Sequence, residues 1–318
     1  AIIATGGQEY RGNEYLLGQD GRVITMGDLE EKIEKKPEEI AKVNEVAMVL
    51  CVGPWQEKSF YCSRTCCTVS IKNAIKIKEL NPSANVYVLH KDLRSYGFKE
   101  RLYTEARRKG VIFIRYTDDR PPRVESVNGQ LQVTVWEPSL AEELKLTPDL
   151  LALATATVSA QNAKDLGLAF KVPITQEGFF LEAHVKLRPV DFASEGIFLC
   201  GTAHYPKFID EAVAQAMAAA ARASTILAKD YLEAGGAVAV VDPKKCVACL
   251  TCVRLCPYRV PRINADGVAE ISMASCQGCG VCAGECPAKA IELLHYRDAQ
   301  IISKSEALMK LEPVTVMS

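Results

Sequence analysis

Thirteen cysteines occur in 318 residues, and they are grouped. Eight fall between Cys246 and Cys286, four between Cys51 and Cys67, and Cys200 stands alone. Short fixed spacings of this kind argue for metal ligation over a disulfide framework. A cytosolic chain would keep its thiols reduced in any case. The eight form a doubled motif, Cys246-x2-Cys249-x2-Cys252-x3-Cys256-Pro257 followed by Cys276-x2-Cys279-x2-Cys282-x3-Cys286-Pro287. A structural zinc site is satisfied by four ligands on two C-x2-C knuckles. Zinc gives no reason for a third cysteine two residues on and a fourth before proline, repeated. An iron–sulfur cubane does, because the x2 spacings let three thiolates wrap three iron corners of one cluster.

The run matches the bacterial ferredoxin pattern, in which the fourth cysteine ligates the other cluster. One [4Fe-4S] cluster is therefore expected on Cys246, Cys249, Cys252 and Cys286, and a second on Cys276, Cys279, Cys282 and Cys256. Pro257 and Pro287 redirect the chain after each fourth cysteine. Small residues between the ligands (Ala248, Gly278, Gly280, Ala283, Gly284) let backbone N–H groups approach the sulfurs, which tunes potential. Crossed ligation places the two clusters close together, as a wire.

The elements that position the other cysteines alternate in type. Val46–Val52 is a continuous apolar run of strand length ended by Gly53-Pro54, and apolar residues recur at helix spacing from Thr68 to Leu80. Asn85–His90 reads as a strand, Phe98–Lys109 as a helix closed by Gly110, and Val111–Tyr116 as a strand. This is the βαβαβ half of a doubly wound sheet. Arg123–Val127 and Gln130–Trp136 flank Asn128-Gly129, the strongest short hairpin signal. Leu150–Val158 reads as one further buried strand. The block is similar to the nucleotide domain of a flavoenzyme with two dinucleotide-binding domains. In such a domain the first strand–helix turn carries G-x-G-x-x-G and seats a pyrophosphate. Here that turn reads CVGPWQEKSFYCSRTCC, with Gly53 its single glycine. Cys51, Cys62, Cys66 and Cys67 stand in place of the phosphate cradle. They are read as a third [4Fe-4S] site at a helix N-terminus, with zinc or redox thiols as alternatives.

A second constellation joins Ala4-Thr5-Gly6, at the end of a strand over Ala1–Gly7, to Gly196–Gly201 and the Gly201-Thr202-Ala203 turn. An Ala-rich helix follows, from Glu211 to about Leu232, with Ala212 in its first turn. Flavin domains close with such a strand–glycine turn and aim a helix N-terminus at the ring. The plain alternative is α/β core without a ligand. His204, Tyr205 and Lys207 fill the loop over the expected flavin edge. Cys200 lies beside it without a second cysteine. Gly178–Leu187 reads as another β segment, and Gly235-Gly236 as a linker.

The bulk numbers exclude several classes. The formal net charge is −1 and hydrophobic content is 48%, so nothing favours nucleic acid or an anionic membrane surface. No apolar run reaches the length of a membrane span, and no leader precedes the fold, so a cytoplasmic protein is expected. The first residues read as the middle of a strand, which points to part of a larger fold.

In combination, ATGG, VLCVG…YCSRTCC, GFFLEAHVKLRPVD, GIFLCGTAHYPKFIDEAVAQAMAAAARA and the doubled cysteine motif resemble the A subunit of heterodisulfide reductase, in its C-terminal portion. The resemblance implies an α/β fold, a thioredoxin-reductase-like flavoprotein remnant with an inserted Rossmann-like domain. A C-terminal α+β bacterial-type 2[4Fe-4S] ferredoxin domain completes it. The expected boundaries are 1–44 and 159–236 for the partial FAD-binding domain, 45–158 for the inserted domain, 237–298 for the ferredoxin domain and 299–318 for a tail. It also implies FAD near Ala4, Thr5, Gly6, Gly201, Thr202, Ala203 and Ala212, and a cluster on Cys51, Cys62, Cys66 and Cys67. The implied activity is that of an oxidoreductase component passing electrons between FAD, clusters and partner subunits or ferredoxin, including flavin-based electron bifurcation. Two other readings stand beside it: a wiring and assembly component without flavin, and an NAD(P)H-dependent reductase component, which the Cys51–Cys67 turn argues against.

Overall fold

The computed structural model describes residues 1–54, 61–231 and 236–310. The chain divides into two units, 1–223 and 224–318. The first opens with β1 (Ile2–Ile3), β2 (Gly7–Glu9), β3 (Val23–Thr25), α1 (Met26–Lys35), α2 (Pro37–Ile40) and β4 (Glu45–Val52). Next come α3 (Cys66–Leu80), β5 (Asn85–His90), α4 (Glu100–Arg108), β6 (Ile112–Arg115), β7 (Arg123–Val127), β8 (Gln130–Glu137) and β9 (Glu142–Leu146). It ends with β10 (Leu150–Thr155), β11 (Thr157–Ser159), α5 (Ala163–Phe170), β12 (Phe198–Leu199) and α6 (Ile209–Leu227), the last running into the second unit.

Five of these strands form a parallel sheet in the order β3-β10-β4-β5-β6. The apolar run of β4 lies at its centre because both faces are covered, as parallel sheets require. Alternation sorts the side chains. Val46, Met48 and Leu50 face α1, α3 and α4, with Ile71, Ala74 and Ile77 packed on them. Ala47 and Val49 face the opposite layer, where Leu131, Val133 and Val135 of β8 meet them. That layer is the antiparallel meander β7-β8-β9. Asn128 (φ 52°) and Gly129 (φ 79°) make its first turn left-handed at both positions, as the Asn-Gly signal requires. Helices on one face and a meander on the other give the expected Rossmann-like arrangement.

Four details differ from the sequence reading. The sheet takes its edge strand β3 from before residue 45, and α1 packs with it, so this layer reaches back past the expected start of the inserted domain. A three-residue strand carries too little periodicity to be seen. Its helix starts on a capping box: the Thr25 hydroxyl accepts from the Asp28 N–H, and the Asp28 carboxylate accepts from the Thr25 N–H. The run Leu150–Val158 is two strands, β10 and β11, which pair with different sheets. Residues 178–187 form no named strand, only the single bridges Ile174–Phe180 and His184–Arg188. There the His184 ring accepts from the N–H groups of Lys186 and Leu187, which turns the backbone away from a ladder. Finally, α6 ends at Leu227 and not near Leu232, which, with Gly235, lies outside the described residues.

The second unit contains β13 (Ala239–Val241), α7 (Thr251–Leu255), β14 (Arg262–Ile263), β15 (Ala269–Glu270), α8 (Val281–Gly284), β16 (Ile291–Leu293) and α9 (Asp298–Lys310). Strands β13 and β16 pair antiparallel, as do β14 and β15. Its core is made of Ala239, Ala269, Ala290 and Ile291 together with Cys252, Cys282 and Cys286. So few apolar side chains cannot hold a unit of this size by burial alone. Among the described residues, no helix is long and apolar enough to cross a membrane.

Met48 is fully buried in the central strand, whereas Met217 on α6 is 69% exposed. Met48→Ala is expected to lower unfolding stability by roughly 2–5 kcal/mol and Met217→Ala by under about 0.5 kcal/mol, measured by denaturant titration.

Candidate metal centres

The doubled motif folds as two near-equivalent loops. In the first, Ala248 (φ 51°) and Leu250 (φ 64°) are left-handed; in the second, Gly278 (φ 66°) and Gly280 (φ 76°) occupy the same positions. Alternating handedness turns successive N–H groups inward, the geometry of an anion-binding nest. After each Cys-Pro a nearby residue is again left-handed, Arg259 at 51° and Lys289 at 50°.

Two hollows result. One, of about 340 Å³ and partly open to solvent, is lined by Cys246, Cys249, Cys252 and Cys286. The other, of about 290 Å³, is lined by Cys256, Cys276, Cys279 and Cys282. The crossed sets expected from spacing are thus each gathered around one space. Backbone N–H groups already point at the sulfurs: Ala269 to Cys246 (3.4 Å), Ala290 to Cys286 (3.3 Å) and Ala239 to Cys276 (3.4 Å). Burial pushes the Cys282 thiol up to about 11, with Cys276 adding to it, and burial also raises Cys252. A bound cation would draw such thiols back toward the ionised form. Among the described residues no three His, Cys, Asp or Glu side chains suit a single metal ion. The donor set and its setting fit a [4Fe-4S] group in each hollow.

The four forward cysteines lie at the carboxyl ends of β4 and β10, where the strand order reverses. That crevice is the ligand position of an open α/β sheet. Cys51 (φ 63°) lies near the end of β4, and Cys66 and Cys67 open α3. A hollow of about 260 Å³ is lined by Cys51, Cys62 and Cys66, with Tyr61, Ala154 and Thr155 among its other walls. Cys67 does not line it. It is buried behind Cys66, with its Sγ 3.7 Å from the Asp92 carbonyl. Burial pushes Cys51 up to about 11, and Cys67 and Cys62 add to it. A hydrogen bond with Cys67, then burial, raises Cys66, and the same bond lowers Cys67 to about 7. The Arg64 N–H donates to Cys62 Sγ (3.3 Å). Three thiols around one space, a fourth just outside it hydrogen-bonded to Cys66, and a helix N-terminus at hand make a donor set suited to a cluster of the same type. Residues 55–60 of the turn lie outside the described residues.

Spacing did not single out Arg64, Tyr61 or Thr155. The Arg64 guanidinium pairs with Glu211 (2.7 Å) and donates to the Pro206 carbonyl (3.3 Å), tying the cysteine turn to the loop before α6. Tyr61, Phe179 and Tyr205 pack ring against ring beside it. Only tertiary contacts reveal these partners, which lie far apart in sequence.

The expected flavin residues are brought together in part. β1 and β12 pair in parallel, setting residues 4–6 beside Gly201–Ala203. Gly6 (φ 74°) would place a Cβ 3.7 Å from the Thr202 hydroxyl. Ala212 sits in the first turn of α6. The loop residues are committed within the protein. His204 donates from Nε2 to Glu182 (2.8 Å) and accepts at Nδ1 from Gln215 (2.8 Å), the tautomer these partners dictate. Burial holds its pKa below the usual range. Lys207 donates to the Gly201 and Tyr205 carbonyls, and burial, with Arg64, lowers it to about 8. These residues form a strand–turn wall whose loop groups are already engaged. None supplies a glycine-rich phosphate turn.

Fold and thiol sites together define the class, a protein with iron–sulfur-type cysteine sites built on an α/β domain. Residues 239–299 match the 4Fe-4S dicluster domain family. Over 99% of its length the chain is 35% identical to the A subunit of the H(2):CoB-CoM heterodisulfide,ferredoxin reductase of Methanothermobacter marburgensis, covering 50% of that protein. It is 34% identical over 97% of its length to the iron-sulfur A subunit of the CoB--CoM heterodisulfide reductase of Methanocaldococcus jannaschii, again covering 50%. The chain is therefore related to the A subunit of heterodisulfide reductase, and it spans about half the length of these curated relatives. Thioredoxin reductase from T. acidophilum aligns with 72% of this chain and 66% of its own, at TM-score 0.49 and 13% identity, too slight a likeness to add to the topology above.

A Cβ on Gly278 would stand 2.1 Å from the Ala237 carbonyl oxygen, whereas one on Gly284 meets nothing within 4 Å. Gly278→Val is expected to remove about four iron atoms and four sulfides per chain, and Gly284→Ala none, by iron and sulfide assay of anaerobically purified protein.

Proposed function

We propose that this chain is the iron–sulfur part of a heterodisulfide-reductase-like oxidoreductase, passing electrons between a flavin, its clusters and partner subunits or ferredoxin. The observation that carries it is the gathering of the two crossed cysteine sets, each around its own hollow. Bound there, [4Fe-4S] groups supply one-electron carriers, and FAD, on Ala4, Thr5, Gly6, Gly201, Thr202, Ala203 and Ala212, would supply two-electron chemistry.

The chain's own residues hold, orient and tune. Cys246, Cys249, Cys252 and Cys286 would hold one cluster, Cys256, Cys276, Cys279 and Cys282 a second, and Cys51, Cys62, Cys66 and Cys67 a third. The N–H groups of Ala239, Ala269, Ala290 and Arg64 favour the charged sulfurs and set potential. Cys249 and Cys279 are exposed, which makes them the points where each dicluster site meets a partner. The names of the relatives carry the substrate expectation: a CoB-CoM heterodisulfide reduced elsewhere in the complex, with ferredoxin as a second carrier and bifurcation between them. The corresponding domain reading keeps the ferredoxin domain in 237–298 and the flavin part in 1–44 and 159–236 around an inserted domain in 45–158, whose sheet also takes β3 and α1 from the first segment.

A second reading, a wiring and assembly component without flavin, is favoured by one observation. His204 and Lys207, the groups nearest the expected flavin edge, already have protein partners.

Protein purified anaerobically in its complex is expected to hold about twelve iron atoms and twelve sulfides per chain, and Cys62→Ser about eight of each. Iron and sulfide well under about eight would overturn the reading. Absorbance near about 450 nm that extracts as free FAD on acid treatment decides between the flavin and non-flavin readings.

A further inference from the structure

The hollow at the switch point carries one polar group that the cysteine spacing does not account for. Thr155 ends β10, lines the same space as Cys51, Cys62 and Cys66, and is only 8% exposed. Its hydroxyl has no hydrogen-bond partner among the described residues. The neighbouring polar side chains are committed: Tyr61 donates to the Thr157 carbonyl (2.7 Å), and Ser63 accepts from the Thr157 N–H (2.9 Å). The β10–β4 register also slips between Leu153 and Thr155, where Thr155 comes to pair with Val52. Such an irregularity re-aims the side chain that follows it.

A strand has no need of this arrangement. Valine would fill the position equally well on a sheet of Val, Leu and Ala, without burying a hydroxyl. A buried O–H without an acceptor is unfavourable unless the site's occupant accepts it. The cysteine sulfurs and bridging sulfides of a cluster are acceptors.

We propose that Thr155 is a positioning residue whose hydroxyl donates a hydrogen bond to a sulfur of the cluster held by Cys51, Cys62, Cys66 and Cys67. The inference rests on the reading that these four cysteines hold a cluster. A donor to sulfur favours the reduced state, which carries one more negative charge, so it raises the reduction potential. The two dicluster sites are built from other residues.

The test is a reductive titration of the intact complex followed by electron paramagnetic resonance, in wild type, Thr155→Val, Thr155→Ser and Thr155→Ala. Thr155→Val is expected to keep full iron and sulfide content and to move one cluster to lower potential, with both dicluster signals unchanged. Thr155→Ser, which keeps the hydroxyl, is expected to titrate with wild type. Should Thr155→Val fail to load, the Ser and Ala variants decide: a lower potential in Ala than in Ser supports the hydrogen bond, and equal potentials overturn it. A third signal that Val leaves in place overturns the inference alone. Wild-type protein with dicluster signals only overturns the cluster reading and this inference with it.

Discussion

Sulfur in a desolvated pocket is the constraint on which both units turn. A buried thiol resists ionisation, and here several stand around one space, each making the next harder to charge. Burial and Cys276 raise Cys282, and burial with Cys67 raises Cys51. Inward N–H groups offset part of that cost, and the positive charge of bound iron would offset more. The left-handed Lys289 makes sense in these terms, since the N–H that follows it, that of Ala290, donates to Cys286. The second unit goes further, because three of its motif cysteines are also its core. Metal held there would stabilise the unit's fold, as it does in other small metallo-domains.

The larger unit gathers thiols on a different scaffold. An open parallel sheet offers a crevice at the point where strand order reverses, normally for a phosphate. Here β4, α3 and β10 frame that crevice, but thiols stand where glycines would cradle pyrophosphate. A helix N-terminus serves an anionic cluster as well as it serves a phosphate. Arg64 joins this site to the α6 loop by gripping Glu211 and Pro206 while its own N–H holds Cys62. The cysteine turn and the expected flavin wall therefore share one set of contacts.

The two ferredoxin-type loops are alike in backbone and unlike in side chain. The second needs Gly278 because the Ala237 carbonyl leaves no room for a Cβ, whereas the first carries Ala248 at the matching position. Close packing of the segment before β13, and not handedness alone, explains the glycine. That same segment leads into the Ala239 N–H that donates to Cys276, so the steric and electrostatic demands coincide.

Local chemistry was legible from the chain itself. Metal ligation needs particular side chains at fixed short spacings, so the grouping of the eight cysteines into two sets, each now seen around one hollow, could be expected from spacing. The Asn128-Gly129 hairpin and the β4-α3-β5-α4-β6 alternation were legible because turn handedness and buried periodicity are properties of neighbouring residues. What depends on distant partners was not. The edge strand β3 exists because β10 pairs with it across more than a hundred residues, and the division of β10 from β11 reflects two different partners. The segment 178–187 has strand-like composition, but its own side chains satisfy part of its backbone. Four cysteines at the front were visible as a group. Which of them face the hollow, how Arg64 anchors the turn and why Thr155 lines it followed only from tertiary packing, because burial and hydrogen-bond completion are properties of surroundings that no spacing encodes.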